Sequence, residues 1–109
     1  MTDAQDGASL LTINVTADNT IVVVGDIDMA AGPTLDAAIR EHESLTPLLI
    51  DLSGVSFIDS SGLRTLLSAS RRAQQRNTTV HLIGVGPEVT RLLEITGTVL
   101  QFVIEIDNA

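Results

Sequence analysis

At 109 residues the chain has the length of one domain, and with 44% hydrophobic residues it is expected to fold around a single core. Two Phe and no Tyr or Trp make that core aliphatic and leave no aromatic platforms for stacking bases or sugars. A formal charge of −8 argues against sequence-independent nucleic-acid binding, which needs Lys and Arg, and the absence of Cys excludes disulfides, thiolate chemistry and Cys-ligated metal.

Residues 1–8 read as a polar tail, acidic and lacking the basic and apolar regions of a signal peptide. "LLTINVT" (10–16) and "TIVVVGD" (20–26) are β-branched runs separated by "ADN", the pattern of an antiparallel hairpin. The second is apolar at consecutive positions, as in a strand covered on both faces. "GPTLDAAIREHES" (32–44) puts Gly32 and Pro33 at a helix start, with Leu35, Ala38, Ile39 and His42 on one face. "PLLIDLSGV" (47–55) predicts another buried strand, followed by a turn at Ser53-Gly54.

From Ser60 to Arg76 the period is helical again. Leu63, Leu66, Leu67 and Ser70 form one face, while Arg64, Ser68, Arg71, Arg72 and Gln75 line the other, solvated one. "TTVHLIGV" (78–85) is a strand, and "GPEVTRLLEITG" (86–97) is a short helix with Pro87 in its first turn and Gly97 at its end. "VLQFVIEI" (99–106) reads as a last strand.

The predicted order is β-β-α-β-α-β-α-β, without linker or repeat. Strands alternating with helices from residue 20 onward should be parallel with right-handed crossovers. The expectation is one α/β domain over 1–109, with a mixed, mostly parallel sheet of about five strands and three or more helices. Its first strand should pair antiparallel at or near an edge. No run approaches the roughly 18 apolar residues of a membrane span, so a cytoplasmic protein without membrane insertion is expected.

Charge is unevenly spread. Residues 1–59 hold ten acids and Arg40, whereas residues 60–109 hold four acids and five arginines. In open parallel sheets the carboxyl ends of the strands form the functional rim. "GDIDM" and "FIDSSGL" both arrive there, which would bring Asp26, Asp28, Asp59, Ser60 and Ser61 to one edge. Ser60 is also a good helix cap, since a hydroxyl oxygen can accept an orphan N–H of the first turn, and Ser61 could do the same one position later. Gly62 reads as a place of close approach between helix and sheet.

"FIDSSGL" preceded by "LLIDLSGVS", "VVVGDIDMAAGPTLDAAI" (22–39) and "GVGPEVTRLLEITG" (84–97) together resemble the STAS-domain family of bacterial anti-sigma-factor antagonists. The resemblance runs from about residue 10 to 106. It implies a STAS-like fold and a partner switch. An anti-sigma factor that is also a serine kinase holds a sigma factor inactive, and the unphosphorylated antagonist binds that kinase and frees the sigma factor. The kinase then phosphorylates the antagonist, which lets go, and a phosphoserine phosphatase restores binding.

In the family the modified residue directly follows the Asp, which is Ser60 here, with Ser61 as the fallback. Partner contacts are expected at Asp26, Asp28, Asp59, Ser60, Ser61, Gly62, Leu63 and Arg64. The resemblance implies no enzyme activity, cofactor or metal for this chain. Arg64 stands where many antagonists have Gly. It is open to three readings: a phosphate partner, a contact to a particular kinase, or a solvated helix residue.

A serine hydrolase is disfavoured because G-x-S-x-G is absent, His42 falls on the apolar side of its helix, and His81 lies within an apolar strand. A metal site would need more than the Asp26-x-Asp28 pair. Nucleotide binding lacks a P-loop or G-x-G-x-x-G. The runner-up is a STAS module acting as a constitutive binding subunit of a transporter or sensor complex, without phosphorylation.

Overall fold

A computed structural model describes residues 11–44 and 47–105. The polar tail expected at 1–8 lies outside the described residues. In chain order the elements are β1 (Thr12–Val15), β2 (Thr20–Ile27), α1 (Gly32–His42), β3 (Leu48–Ile58), α2 (Ser60–Gln75), β4 (Val80–Ile83), α3 (Pro87–Thr96) and β5 (Val103–Glu105). They form one five-stranded sheet in the order β1-β2-β3-β4-β5. β1 pairs antiparallel with β2 at one edge, and β2 through β5 run parallel. This is the expected α/β fold.

The strand register sorts side chains into two faces. Ile21, Ile50 and Leu82 stand side by side on one, and all are fully buried. Val22, Asp51 and Ile83 stand side by side on the other and are half-buried. Successive parallel strands are laid down in one direction across the sheet, so right-handed crossovers put α1 and α2 on the same side. Leu35 and Ile39 of α1 and Leu63, Leu66, Ala69 and Ala73 of α2 fill that side, joined by Val89 and Leu93 of α3.

Four expectations are corrected. β2 is not covered on both faces: Val24 is 46% exposed. The continuous apolar run therefore reflects β-branched propensity rather than double burial.

The turn at Ser53-Gly54 does not form, and β3 continues to Ile58 with register shifts against β2 between Val22 and Asp26. The glycine serves close approach instead. A Cβ at Gly54 would come within 2.8 Å of Val24 Cγ2. The extra length matters, because it carries the chain to the rim before α2 begins.

The last strand is shorter than expected, with Val99–Gln101 forming a 3₁₀ turn that positions Phe102 in the core.

Polar contacts fix the C-terminal half of α2. The buried Ser70 hydroxyl donates to the Gln101 carbonyl at 2.6 Å. Arg72, expected on the solvated face, is instead only 17% exposed and clamps α1 to α2. Its Nε lies 2.7 Å from Glu43 Oε1, and its Nη2 lies 3.5 Å from Asp36 Oδ1. Arg76 adds a second bridge to Glu43 at 3.1 Å. A paired, mostly buried Arg of this kind sets helix spacing more than it adds net stability.

Candidate functional site at the start of the second helix

The rim is built where β2 and β3 end side by side. Their pairing continues to Asp26 beside Phe57 and Ile27 beside Ile58. The Asp59 amide then donates to the Ile27 carbonyl at 3.2 Å, so the chain leaves β3 already attached to β2. Gly62 lies directly against that same residue. A Cβ there would sit 2.2 Å from Ile27 O and 2.6 Å from Ile27 Cγ2. Only glycine lets the first turn of α2 press onto the end of β2.

Asp59, not Ser60, caps the helix. Its backbone is extended, and its Oδ1 accepts the Gly62 amide at 2.9 Å. Ser60 is therefore the first residue of α2 rather than its cap. It is exposed, and its hydroxyl makes no hydrogen bond among the described residues. The carboxylate outcompetes the hydroxyl for an orphan amide because a charged acceptor makes the stronger bond.

The other expected residues take distinct places. Asp28 is half-buried, its Oδ1 accepting the Ala31 amide at 3.0 Å in the turn before α1. Asp26 is exposed and engaged by no hydrogen bond or ion pair among the described residues. Ser61 is half-buried, and Gly62 is buried. Leu63, expected at the partner surface, is 4% exposed and belongs to the core, where it holds the helix in place. Arg64 is exposed one turn beyond Ser60.

Two features of the site carry no signal in the sequence pattern. Met29, just past Asp28, is 73% exposed at the rim. Between α1 and α2 lies an open cleft of about 600 Å³, with Met29, Pro33, Asp36, Ser61, Arg64 and Thr65 among its walls. The cleft arises from packing two helices that are distant in sequence, which local periodicity cannot report. The Arg40 guanidinium at its edge is held by Asp36 at 2.8 Å, and that hydrogen bond and charge raise the Arg40 pKa above the ordinary arginine value.

The two histidines stand away from Ser60. His42 Nδ1 is 3.0 Å from the Ala38 carbonyl, and His81 Nδ1 is 2.6 Å from Glu105 Oε2 on the neighbouring strand. Neither is arranged to activate a serine. Among the described residues there is no cluster of three His, Cys, Asp or Glu side chains able to hold a metal, and no helix long and apolar enough to cross a membrane.

Comparison with known proteins agrees with this architecture. The STAS domain model matches residues 12–108. An anti-sigma-B factor antagonist of Listeria monocytogenes is 36% identical over 90 residues, covering 81% of this chain and 77% of the relative. A crystal structure of an anti-sigma factor antagonist from Mycobacterium paratuberculosis superposes with a TM-score of 0.75 at 27% identity, covering 93% of this chain and 88% of that one. The Bacillus cell fate determinant SpoIIAA in its phosphorylated form shares the fold, with a TM-score of 0.64 at 19% identity over 89% of this chain and 92% of that one.

Proposed function

We propose that this chain, which belongs to the STAS-domain family of bacterial anti-sigma-factor antagonists, acts as such an antagonist, and that Ser60 is its switch. In its unphosphorylated state it binds an anti-sigma factor that is also a serine kinase, and so frees a sigma factor. Transfer of a phosphoryl group from ATP to Ser60 Oγ on the kinase ends binding, and a phosphoserine phosphatase restores it. The chain is a regulatory binding protein and a kinase substrate, not an enzyme.

One observation carries the reading: Ser60 presents an exposed, unengaged hydroxyl at the first position of α2, immediately behind a carboxylate that does the capping. A kinase can take that hydroxyl without breaking the helix start. The product is tolerated too. A phosphate adds about −1.5 to −2 charges beside the free N–H groups and positive dipole end of a helix, where an anion is stabilised. The Bacillus neighbour, described in a phosphorylated form, is a precedent for this fold tolerating the modification.

The change is felt outside. On a rim that already holds the exposed Asp26 and the Asp28 and Asp59 carboxylates, the new charge repels an acidic partner surface seated at Ser60. Bulk at the centre of a close-packed interface adds to that. A loss of about 2–3 kcal/mol of binding lowers affinity some tens- to hundredfold.

The direct check is incubation with the cognate anti-sigma kinase and ATP, followed by mass spectrometry and binding assays. Phosphate on Ser60, and loss of binding in Ser60→Asp but not Ser60→Ala, is the expected result. No phosphate on Ser60 together with unchanged binding in Ser60→Asp would return the protein to a constitutive binding module.

A further inference from the structure

Resting on that functional reading, we propose that the cleft between α1 and α2 receives an acidic side chain of the kinase partner. Arg64 is its counter-ion, and the Ser61 and Thr65 hydroxyls are hydrogen-bond donors to it.

The argument begins with which groups are already committed. Arg40 is paired with Asp36 at 2.8 Å, and Arg72 is paired with Glu43 at 2.7 Å. The Ser68 hydroxyl accepts from Arg72 Nη1 at 2.9 Å. What remains on the cleft wall is Arg64, exposed and without an ion pair among the described residues, together with Ser61 and Thr65, whose hydroxyls make no hydrogen bond there.

A guanidinium with two neutral donors beside it matches a carboxylate, which accepts several hydrogen bonds in one plane. A multiply charged small anion fits less well, because the Asp36 carboxylate lines the same cleft. Met29 at the mouth of the cleft, 73% exposed, calls for apolar cover that a protein surface supplies and a free ion does not.

The placement gives the rim two signs. Asp26 offers negative charge on one side of Ser60, and Arg64 offers positive charge one helical turn beyond it. A partner that fits must carry a base and an acid in that order, and a kinase with the opposite arrangement is rejected by like charge. Arg64 thus selects among kinases that recognise the same serine.

The test uses the full chain and the purified serine-kinase anti-sigma factors of its own genome, titrated calorimetrically with wild type, Arg64→Ala, Arg64→Lys, Arg64→Glu and Arg91→Glu. Arg91 is exposed on α3, so Arg91→Glu makes the same change in net charge away from the cleft. Removing a charge that faces a partner charge is expected to weaken binding about tenfold for Arg64→Ala and about a hundredfold for Arg64→Glu. Arg64→Lys should fall between wild type and Arg64→Ala, and Arg91→Glu should stay within about twofold of wild type.

Wild-type affinity in Arg64→Glu, or an equal loss in Arg91→Glu, overturns the assignment. If Ser60→Asp abolishes binding while Arg64→Glu does not, the switch stands and the cleft falls. If wild type binds none of these kinases, the functional reading falls first and takes the cleft with it.

Discussion

After β2, Asp28 closes a turn through Ala31 before α1 begins; after β3, Asp59 starts α2 at once. Both carboxylates accept the amide three residues on, from Ala31 at 3.0 Å and from Gly62 at 2.9 Å. The first junction uses its acid to shape a loop, so that α1 starts at Gly32 without a side-chain cap. The second uses its acid as the cap, which leaves Ser60 at the head of the helix with nothing to do structurally. Two copies of one local device thus yield a shaped loop in one place and a presented hydroxyl in the other.

The largest effect that would break the comparison lies at the glycines. Gly62→Ala drives a Cβ to 2.2 Å from the Ile27 carbonyl oxygen and should cost about 3 kcal/mol, with the rim displaced. At the first junction, a Cβ on Gly32 meets only the Thr65 hydroxyl at 3.3 Å. Gly32→Ala should therefore change stability by less than about 1 kcal/mol, helix propensity offsetting the tight contact. Urea unfolding of both variants measures the contrast, and equal losses would show that the junctions are packed alike.

Next come the two acids. Asp59→Ala removes a direct helix cap and should lower stability by about 1 kcal/mol, with Asp59→Asn retaining most of it. Asp28→Ala removes a turn hydrogen bond and should cost about 0.5 kcal/mol. A larger loss from Asp28→Ala than from Asp59→Ala would reverse the roles given to the two carboxylates.

The smallest effect is expected at Ser60. Its hydroxyl has no bond to lose among the described residues, so Ser60→Ala should stay within about 0.5 kcal/mol of wild type. A loss of about 1 kcal/mol would mean that Ser60, not Asp59, caps α2 in solution.

Much of this could be read from residues alone. Alternating strand and helix periods, with Pro33, Pro87 and Gly97 at helix ends, suffice for the element order, because each is a local signal. The antiparallel edge strand followed from the short "ADN" link between two β-branched runs. Gly62 as a point of close approach was also legible, since a glycine opening an apolar helix pattern has few other uses.

What escaped was settled by tertiary contact. Ser53-Gly54 looks like a turn locally, yet pairing with β2 carries the strand through it. The choice between Asp59 and Ser60 as cap depends on the Asp59 amide being fixed to Ile27 across the sheet. Arg72 looks like a solvated helix residue until Glu43 and Asp36 arrive from α1. The α1–α2 cleft has no sequence signature, because its walls come from two helices that the whole of β3 separates along the chain.

The central claim is that Ser60 changes the surface and not the fold. The most direct measurement compares the chain phosphorylated on Ser60 with the unmodified chain, by affinity for the cognate kinase and by amide chemical shifts. The account predicts a drop in affinity of about thirtyfold or more, with shift changes confined to the rim and the first turn of α2. Unchanged affinity, or lost affinity accompanied by unravelling of α2 along its length, would contradict it.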